Sequence, residues 1–417
     1  MDKYIIKGSK RLSGKVTISG SKNAALPILT AALLTDDPCI IHNVPDLMDI
    51  HTLCALLSSL GKKVVRKKDT VHIFHGKPRT FTAPYDLVKK MRASVLVMGP
   101  MLARYNKVHV SLPGGCAIGV RPIQFHVNGF KDMGCTARMK QGYIELATNG
   151  LKGRRILLDF PSVGATENLL MGAVLAQGKT IIDNAAQEPE IIDLALCLKQ
   201  MGARIFGEGT RCLVVQGISK LHGIEYTVMP DRIEAGTFMV ATAITRGSVS
   251  LYGAQHEHCL SLIDKLKEAG VHIEISASCI KVQAKGAVKP AQVETAPYPG
   301  FPTDMQAPWV SLMAVAKGVS VVTETVFEKR FLHVPELNRM GAKIRIRGNS
   351  ILIEGVQKLS GAPIMVSDLR AGAALVLAAL AADNTSEITR IYHIDRGYED
   401  LEKKLRSLGA SIRRVQA

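Results

Sequence analysis

The sequence predicts an α/β fold of two domains, built from six copies of one unit with three copies in each domain. Three observations predict it. An apolar residue followed by glycine closes a helical pattern six times, in SSLGKKV, KDMGCTA, KQMGARI, KEAGVHI, NRMGAKI and RSLGASI. These glycines, Gly61, Gly134, Gly202, Gly270, Gly341 and Gly409, are spaced 73, 68, 68, 71 and 68 residues apart. The chain ends also share one pattern. IIKGSKRLSG near the start matches LVVQGISKLHG at 213–223 and ILIEGVQKLSG at 351–361, while the sixth copy stops at ASIRRVQA.

Each unit opens with a helix rich in small residues, as in ATENLLMGAVLAQG, EAGTFMVATAITRG and DLRAGAALVLAALAAD. A brief strand follows, such as KTIIDN or GSVSLYG. A second helix then ends at the glycine, which accepts positive φ without strain and so caps it. Two short alternating strands joined by a polar turn come next, as in ARIFGEGTRCLVVQG and AKIRIRGNSILIEG. A further strand leads into the next copy. The first residues supply the missing last strands of the sixth unit. The expected division is therefore 20–229 for the first domain and 1–19 plus 230–417 for the second, crossing near TVMPDR at 227–232. A ligand site is expected in the cleft between them, since ligand sites favour domain interfaces. The opening helices start at SGSKNAA, MRAS, SVGATEN, PDRIEAG, FPTDMQA and VSDLRAG, and helix N-termini favour anions.

A chain of 417 residues, 47% hydrophobic and 21% charged, has the size and composition of a two-domain globular protein. MDKYIIKGSKRLSG carries no secretory signal, and AGAALVLAALAA at 371–382 is too short to span a bilayer, so a cytoplasmic protein is expected. The eight cysteines form no CxxC pair and no Cys/His cluster, which argues against a disulfide framework or a zinc site. A net charge of +17 fits either a nucleic acid or small anionic substrates. The basic residues are scattered, in stretches read as solvent-facing turns such as GKKVVRKKD and KGRR. Aromatic residues are only 5%, too few for base stacking, so no nucleic-acid partner is expected.

Several residues carry chemistry. Lys22 precedes an apolar helix, where a cation opposes the helix dipole; it is either an anion ligand or a solvated turn residue. Asn23 beside it can cap the helix or donate to a ligand. Arg121, before a proline in a glycine-rich loop, suits a phosphate or carboxylate, whereas Arg92 is either a ligand or the cover of a helix end. Asp304 is a helix cap or a base facing cations, with Thr303 able to fill the capping role. Asp368 and Arg370 read as a cap or as a functional pair. Arg396 lies on a sixth-unit loop that corresponds in place to the loop of Cys116. Cys116 stands in the glycine-rich stretch SLPGGCAIGVRP near Arg121, and nearby positive charge favours a thiolate. Cys39, Cys54, Cys135, Cys197, Cys212, Cys259 and Cys279 fall in helical or strand patterns and read as small core residues.

Six units with GSKNAALPI, LPGGCAIGVRP, PSVGATEN, FPTDMQA, TETVFEKRFLHVPEL and SDLRAG resemble the enolpyruvyl transferases, along the whole chain. The resemblance implies an inside-out α/β barrel in two domains. It implies transfer of enolpyruvate from phosphoenolpyruvate to the 3′-hydroxyl of UDP-N-acetylglucosamine, with release of phosphate. Lys22, Arg121 and Arg396 match phosphoenolpyruvate positions, Asp304 the base, and Asp368 and Arg370 positions near the reacting centre. Cys116 matches the family's proton donor, which forms a pyruvate adduct and is alkylated by fosfomycin. The nucleotide sugar is expected on Asn23, Arg92, Arg121, Pro122, Ile123, Gln124, Phe125, Ser162, Val163, Gly164, Asp304 and Val326. Gln124 and Phe160 replace charged residues of some relatives, so no charge contact is implied at either. No metal or organic cofactor is implied. The sibling reaction on shikimate-3-phosphate is the nearest alternative; a nucleic-acid-binding protein on the same fold is the alternative of another class.

Overall fold

The structure is a computed structural model that describes residues 2–76, 80–111, 123–277 and 279–416. The described residues separate into two compact units, one of 20–229 and one of 2–19 with 230–416.

The unit of 20–229 holds three four-stranded sheets of one topology. The first runs Ile224–Thr227, Cys39–His42, Thr70–Phe74, Lys63–Lys67; the second Thr82–Ala83, Lys107–Ser111, Tyr143–Ala147, Thr136–Lys140; the third Arg155–Leu157, Lys179–Asp183, Cys212–Gln216, Arg204–Phe206. In each the first pair is parallel and the others antiparallel. Helices α1 (Lys22–Ala31), α2 (Met98–Tyr105) and α3 (Val163–Ala173) contribute buried small and aliphatic side chains to one core.

The unit of 230–416 repeats this design with help from the chain start. Strand β2 (Ser13–Thr17) pairs in parallel with Ser248–Tyr252, beside Cys279–Gln283 and His272–Ser276. The second sheet is Val293–Glu294, Val319–Thr323, Ser350–Glu354, Lys343–Arg347. In the third, β1 (Asp2–Lys7) lies between Thr385–Thr389 and Ser411–Gln416, antiparallel to both, with Pro363–Met365 at the edge. Helices α4 (Arg232–Ile244), α5 (Gln306–Met313) and α6 (Leu369–Ala381) pack on one another in the second core. The stretch AGAALVLAALAA is thus a buried helix, its alanines and Gly372 allowing close approach.

The six punctuating glycines each follow a helix and take φ of 104°, 93°, 103°, 88°, 88° and 94° in chain order. Any other residue there is strained. The start of the chain is also fixed where it leaves β2. The Ser19 N–H donates to Glu234 Oε2 at 2.7 Å, and Lys404 Nζ donates to Glu234 Oε1 and Ser19 Oγ at 2.6 Å each. Burial pushes the Glu234 carboxyl up to about 7 although Lys404 opposes the shift.

Two expectations need correction. GKKVVRKKD is mainly a strand, and Lys62 is 6% exposed, its Nζ donating to Thr35 O at 2.5 Å. Its aliphatic stem reaches inward, which the local charge run conceals. Cys212 opens a strand on its outward-facing register and is exposed, while Cys39, Cys135, Cys197 and Cys259 are buried and Cys54 and Cys279 half-buried. Among the described residues no helix is long and apolar enough to cross a membrane.

Ile6 sits mid-strand in β1 and is fully buried, opposite Ser386 and Ile412. Ile6→Ala should lower the unfolding free energy by about 2–5 kcal/mol, read from the shift in urea midpoint at unchanged m-value. A shift within error would show that β1 is dispensable to the sheet.

Candidate active site

The site residues of the unit of 230–416 gather near the N-termini of α5 and α6. In FPTDMQA a single 3₁₀ turn, Thr303–Met305, leads into α5, and Pro302, not Asp304 or Thr303, holds the cap position. The Asp304 carboxylate is taken instead by two arginines. Oδ1 lies 2.8 Å from an Arg330 terminal nitrogen, and Oδ2 accepts from Arg370 at 2.9 Å. Both arginines are 4% exposed, and the Asp304 side chain is 24% exposed. Arg330 also donates to Thr303 Oγ1 at 2.9 Å, and Thr303 donates to Glu324 Oε2 at 2.8 Å. Glu324 Oε1 accepts from Thr295 Oγ1 and from the N–H groups of Val326 and Phe327 at 2.7, 2.8 and 3.0 Å. A continuous hydrogen-bonded chain therefore ties Val326 to Asp304.

Asp368 takes the capping role. Its Oδ1 accepts the N–H of Arg370 and of Ala371, both at 3.0 Å, at the start of α6. Arg370 lies over the Tyr398 ring at 5.5 Å. Burial opposes its charge, yet Asp304 and Tyr398 hold its pKa above the ordinary value. One terminal nitrogen of Arg370 and the Arg330 Nε are buried with no hydrogen-bond partner among the described residues. Such donors cost free energy until an acceptor meets them, which suits an anionic ligand. Arg396 ends the 3₁₀ segment Ile391–Arg396. After burial it is the main cause of the lowered His393 pKa, which Asp368 opposes. Asp304, Asp368, Arg370 and Arg396 thus belong to one charged group.

In the unit of 20–229, Ser21 caps α1, its Oγ accepting from the Ala24 N–H at 3.3 Å. Lys22 is the first helical residue, 8% exposed, with Nζ 2.6 Å from Asp49 Oδ2. The solvated-turn reading is therefore wrong. A cation desolvated at a positive helix end needs a carboxylate, and Asp49, itself 4% exposed, provides it. Asn23 is half-buried and does not cap. Arg92 opens the 3₁₀ segment Arg92–Val97. His126 is 6% exposed, and burial, then Arg92, push its pKa down to about 4. Ile123, Gln124 and Phe125 begin the helix Gln124–Asp132, where Gln124 is exposed and donates to Asn128 at 2.5 Å. Ser162 caps α3, its Oγ accepting from the Ala165 N–H at 3.4 Å. Gly164 lies against His126, since a Cβ there would stand 3.4 Å from the ring Cε1. Arg92, His126 and the Ser162–Val163–Gly164 turn thus form a second group. Cys116, Arg121 and Pro122 lie outside the described residues.

Sequence reasoning missed Asp49, Arg330, His126 and Glu324. Asp49 sits in the first turn of the helix Met48–Ser59, where an acid is already explained by the dipole. Arg330 lies within VFEKRF, whose neighbouring charges disguise it. Among the described residues no group of three His, Cys, Asp or Glu side chains is placed to hold a metal ion.

Arg330→Met removes one of the two partners of Asp304. Orphaning a buried charge costs about 3–5 kcal/mol. Here Asp304 keeps Arg370 and some water, so the loss in urea unfolding should be about 1–3 kcal/mol. Arg330→Lys should not restore it, because a point charge cannot bond Asp304 and Thr303 in one plane; full recovery would refute the bidentate role. The histidines give a pH prediction. Burial pushes His333 as well as His126 down to about 4 from 6.5. The unfolded chain then binds more protons than the native protein between these values, so their contribution falls as pH drops from 6.5 to 4. Each contributes at most on the order of 3 kcal/mol. His126→Gln should flatten the stability–pH curve in that window relative to the unsubstituted protein; parallel curves would refute the buried neutral state.

Comparisons with known proteins identify the family. The sequence model of the family EPSP synthase (3-phosphoshikimate 1-carboxyvinyltransferase) matches residues 6–405. A UDP-N-acetylglucosamine 1-carboxyvinyltransferase of Endomicrobium trichonymphae is 54% identical over 99% of both chains. A UDP-N-acetylglucosamine 1-carboxyvinyltransferase 2 of Carboxydothermus hydrogenoformans is 53% identical over 100% of both. The crystal structure of the enolpyruvyl transferase NikO from Streptomyces tendae superposes with a TM-score of 0.91 at 24% identity, over 100% of this chain and 99% of that one, which shows the shared fold. With six repeated sheets, a full-length family match and relatives above half identity, the chain belongs to the EPSP synthase family of carboxyvinyltransferases.

Proposed function

We infer that this protein transfers the enolpyruvyl group of phosphoenolpyruvate to the 3′-hydroxyl of UDP-N-acetylglucosamine, releasing phosphate, as in the first committed step of peptidoglycan precursor synthesis. The observation that carries this reading is the 54% identity, over 99% of both chains, to a relative named UDP-N-acetylglucosamine 1-carboxyvinyltransferase.

The chemistry suits the residues. The donor carries a phosphate and a carboxylate, so its binding calls for several cations; Lys22, Arg121 and Arg396 are assigned to it. In the addition step the sugar oxygen bonds to C2 of the donor, and a proton is delivered to the methylene C3, giving a tetrahedral ketal. In the elimination step C3 loses a proton as the C2–O bond to phosphate breaks, restoring the double bond. Cys116 is assigned the proton delivery, and Asp304 accepts the hydroxyl proton. Flanked by Arg330 and Arg370, the Asp304 carboxylate is placed to accept a hydrogen bond from the sugar hydroxyl. Guanidinium N–H groups on the same arginines that find no partner among the described residues offer bonds to donor anions. Asp368 acts through Arg370, whose backbone it caps. Asn23, Arg92, Arg121 to Phe125, Ser162 to Gly164 and Val326 are assigned to the nucleotide sugar.

Phosphate release should require phosphoenolpyruvate together with UDP-N-acetylglucosamine, and the sugar product should gain one enolpyruvyl group by mass spectrometry. Turnover with shikimate-3-phosphate alone would replace this reading with the sibling reaction.

A further inference from the structure

The geometry points to Asn168 as the residue that fixes the tautomer of His126, and to the His126 Nε2–H as a donor for an anionic oxygen at the N-terminus of α3. The identity of that oxygen, a diphosphate oxygen of the nucleotide sugar, rests on the function proposed above; the tautomer does not.

The hydrogen bonds leave one solution. The Gly99 N–H donates to Asn168 Oδ1 at 2.6 Å, which sets which end of the amide is oxygen. Asn168 Nδ2 then faces Val95 O at 2.8 Å and His126 Nδ1 at 2.8 Å. An amide NH2 group has two hydrogens and accepts nothing, so His126 Nδ1 must be the acceptor and carries no proton. The neutral ring therefore holds its proton on Nε2. Burial and the charge of Arg92 exclude the imidazolium at neutral pH. The lock is rigid. Asn168 is fully buried, and a Cβ on Gly99 would stand 2.3 Å from the Asn168 carbonyl oxygen. On its other side, Nε2 lies 3.6 Å from where a Cβ on Gly164 would be, and it has no hydrogen-bond partner among the described residues. The N–H groups of Val163 and Gly164, the first two of α3, have no helical acceptor ahead of them. A nine-tenths buried imidazole thus places its Nε2 edge beside the same turn as two amides that have no helical acceptor. A neutral donor there orients an anionic oxygen without adding to the cost of burying another cation.

The test is the tautomer itself, followed by long-range 15N–1H spectra of imidazole-labelled protein, with the His126 signal identified by its loss in His126→Gln. At pH 7 the ligand-free protein should show the neutral Nε2–H pattern, and adding UDP-N-acetylglucosamine should shift that signal. An Nδ1–H tautomer or an imidazolium would overturn the tautomer, and a signal unmoved at saturation would overturn the donor role. In Asn168→Asp the new carboxylate should draw a proton onto Nδ1; a bare Nδ1 in that variant would remove Asn168 from the assignment. In kinetics, His126→Gln, which can place an amide N–H near the Nε2 position, should keep KM for the nucleotide sugar within about threefold. His126→Asn should raise it about tenfold or more at little change in kcat, as expected for a lost bond to a charged acceptor; equal KM values would overturn the proposal. A protein that turns over with the nucleotide sugar but fails these tests loses only this inference. One that releases no phosphate with that acceptor loses the functional reading, whatever its tautomer.

Discussion

The carboxylate of Asp304 between the guanidiniums of Arg330 and Arg370 is the interaction on which the unit of 230–416 depends for its chemistry. Burying two arginines is costly unless each finds an acceptor. One carboxylate cannot satisfy them both, and the remainder is spread over Thr303, Tyr398 and two nitrogens that have no partner among the described residues. The cluster is therefore held short of acceptors by the packing of α4, α5 and α6.

Two buried side chains of the unit of 20–229 meet a related problem differently. Lys22 begins a helix whose dipole repels it, and Asp49 offsets that repulsion from a neighbouring helix. His126 avoids the problem by staying neutral, its ring oriented by an asparagine that no charge change can disturb. A cation paired with a carboxylate and a ring kept neutral both limit the self-repulsion that unpaired buried cations would carry.

The fold was legible because its signal is repetitive. Glycines at helix ends require positive φ, and six of them at near-constant spacing report the unit, its second helix and the hairpin that follows. The match of the chain start to later hairpins reported where β1 belongs. Individual charged residues were less legible. Asp368 and Asp304 look alike in sequence, each at a helix start, yet one caps and the other pairs with arginines contributed from elsewhere in the chain. Lys62 reads as part of a solvated run, though its stem passes inward. Asp49 and Arg330 gave no signal, because their partners lie 27 and 26 positions away and only the tertiary fold brings them together.

The placement of β1 between Thr385–Thr389 and Ser411–Gln416 also bears on how the protein is made. A ribosome produces the central strand of that sheet first and its neighbours almost 400 positions later. Until then an apolar strand must wait unpartnered while the unit of 20–229, whose strands all come from one continuous stretch, is free to form during synthesis. The sheet of the other unit is complete only once Ser411–Gln416 has been made. Loss of the terminal strand Ser411–Gln416 would leave β1 with an open edge, a template for pairing between molecules.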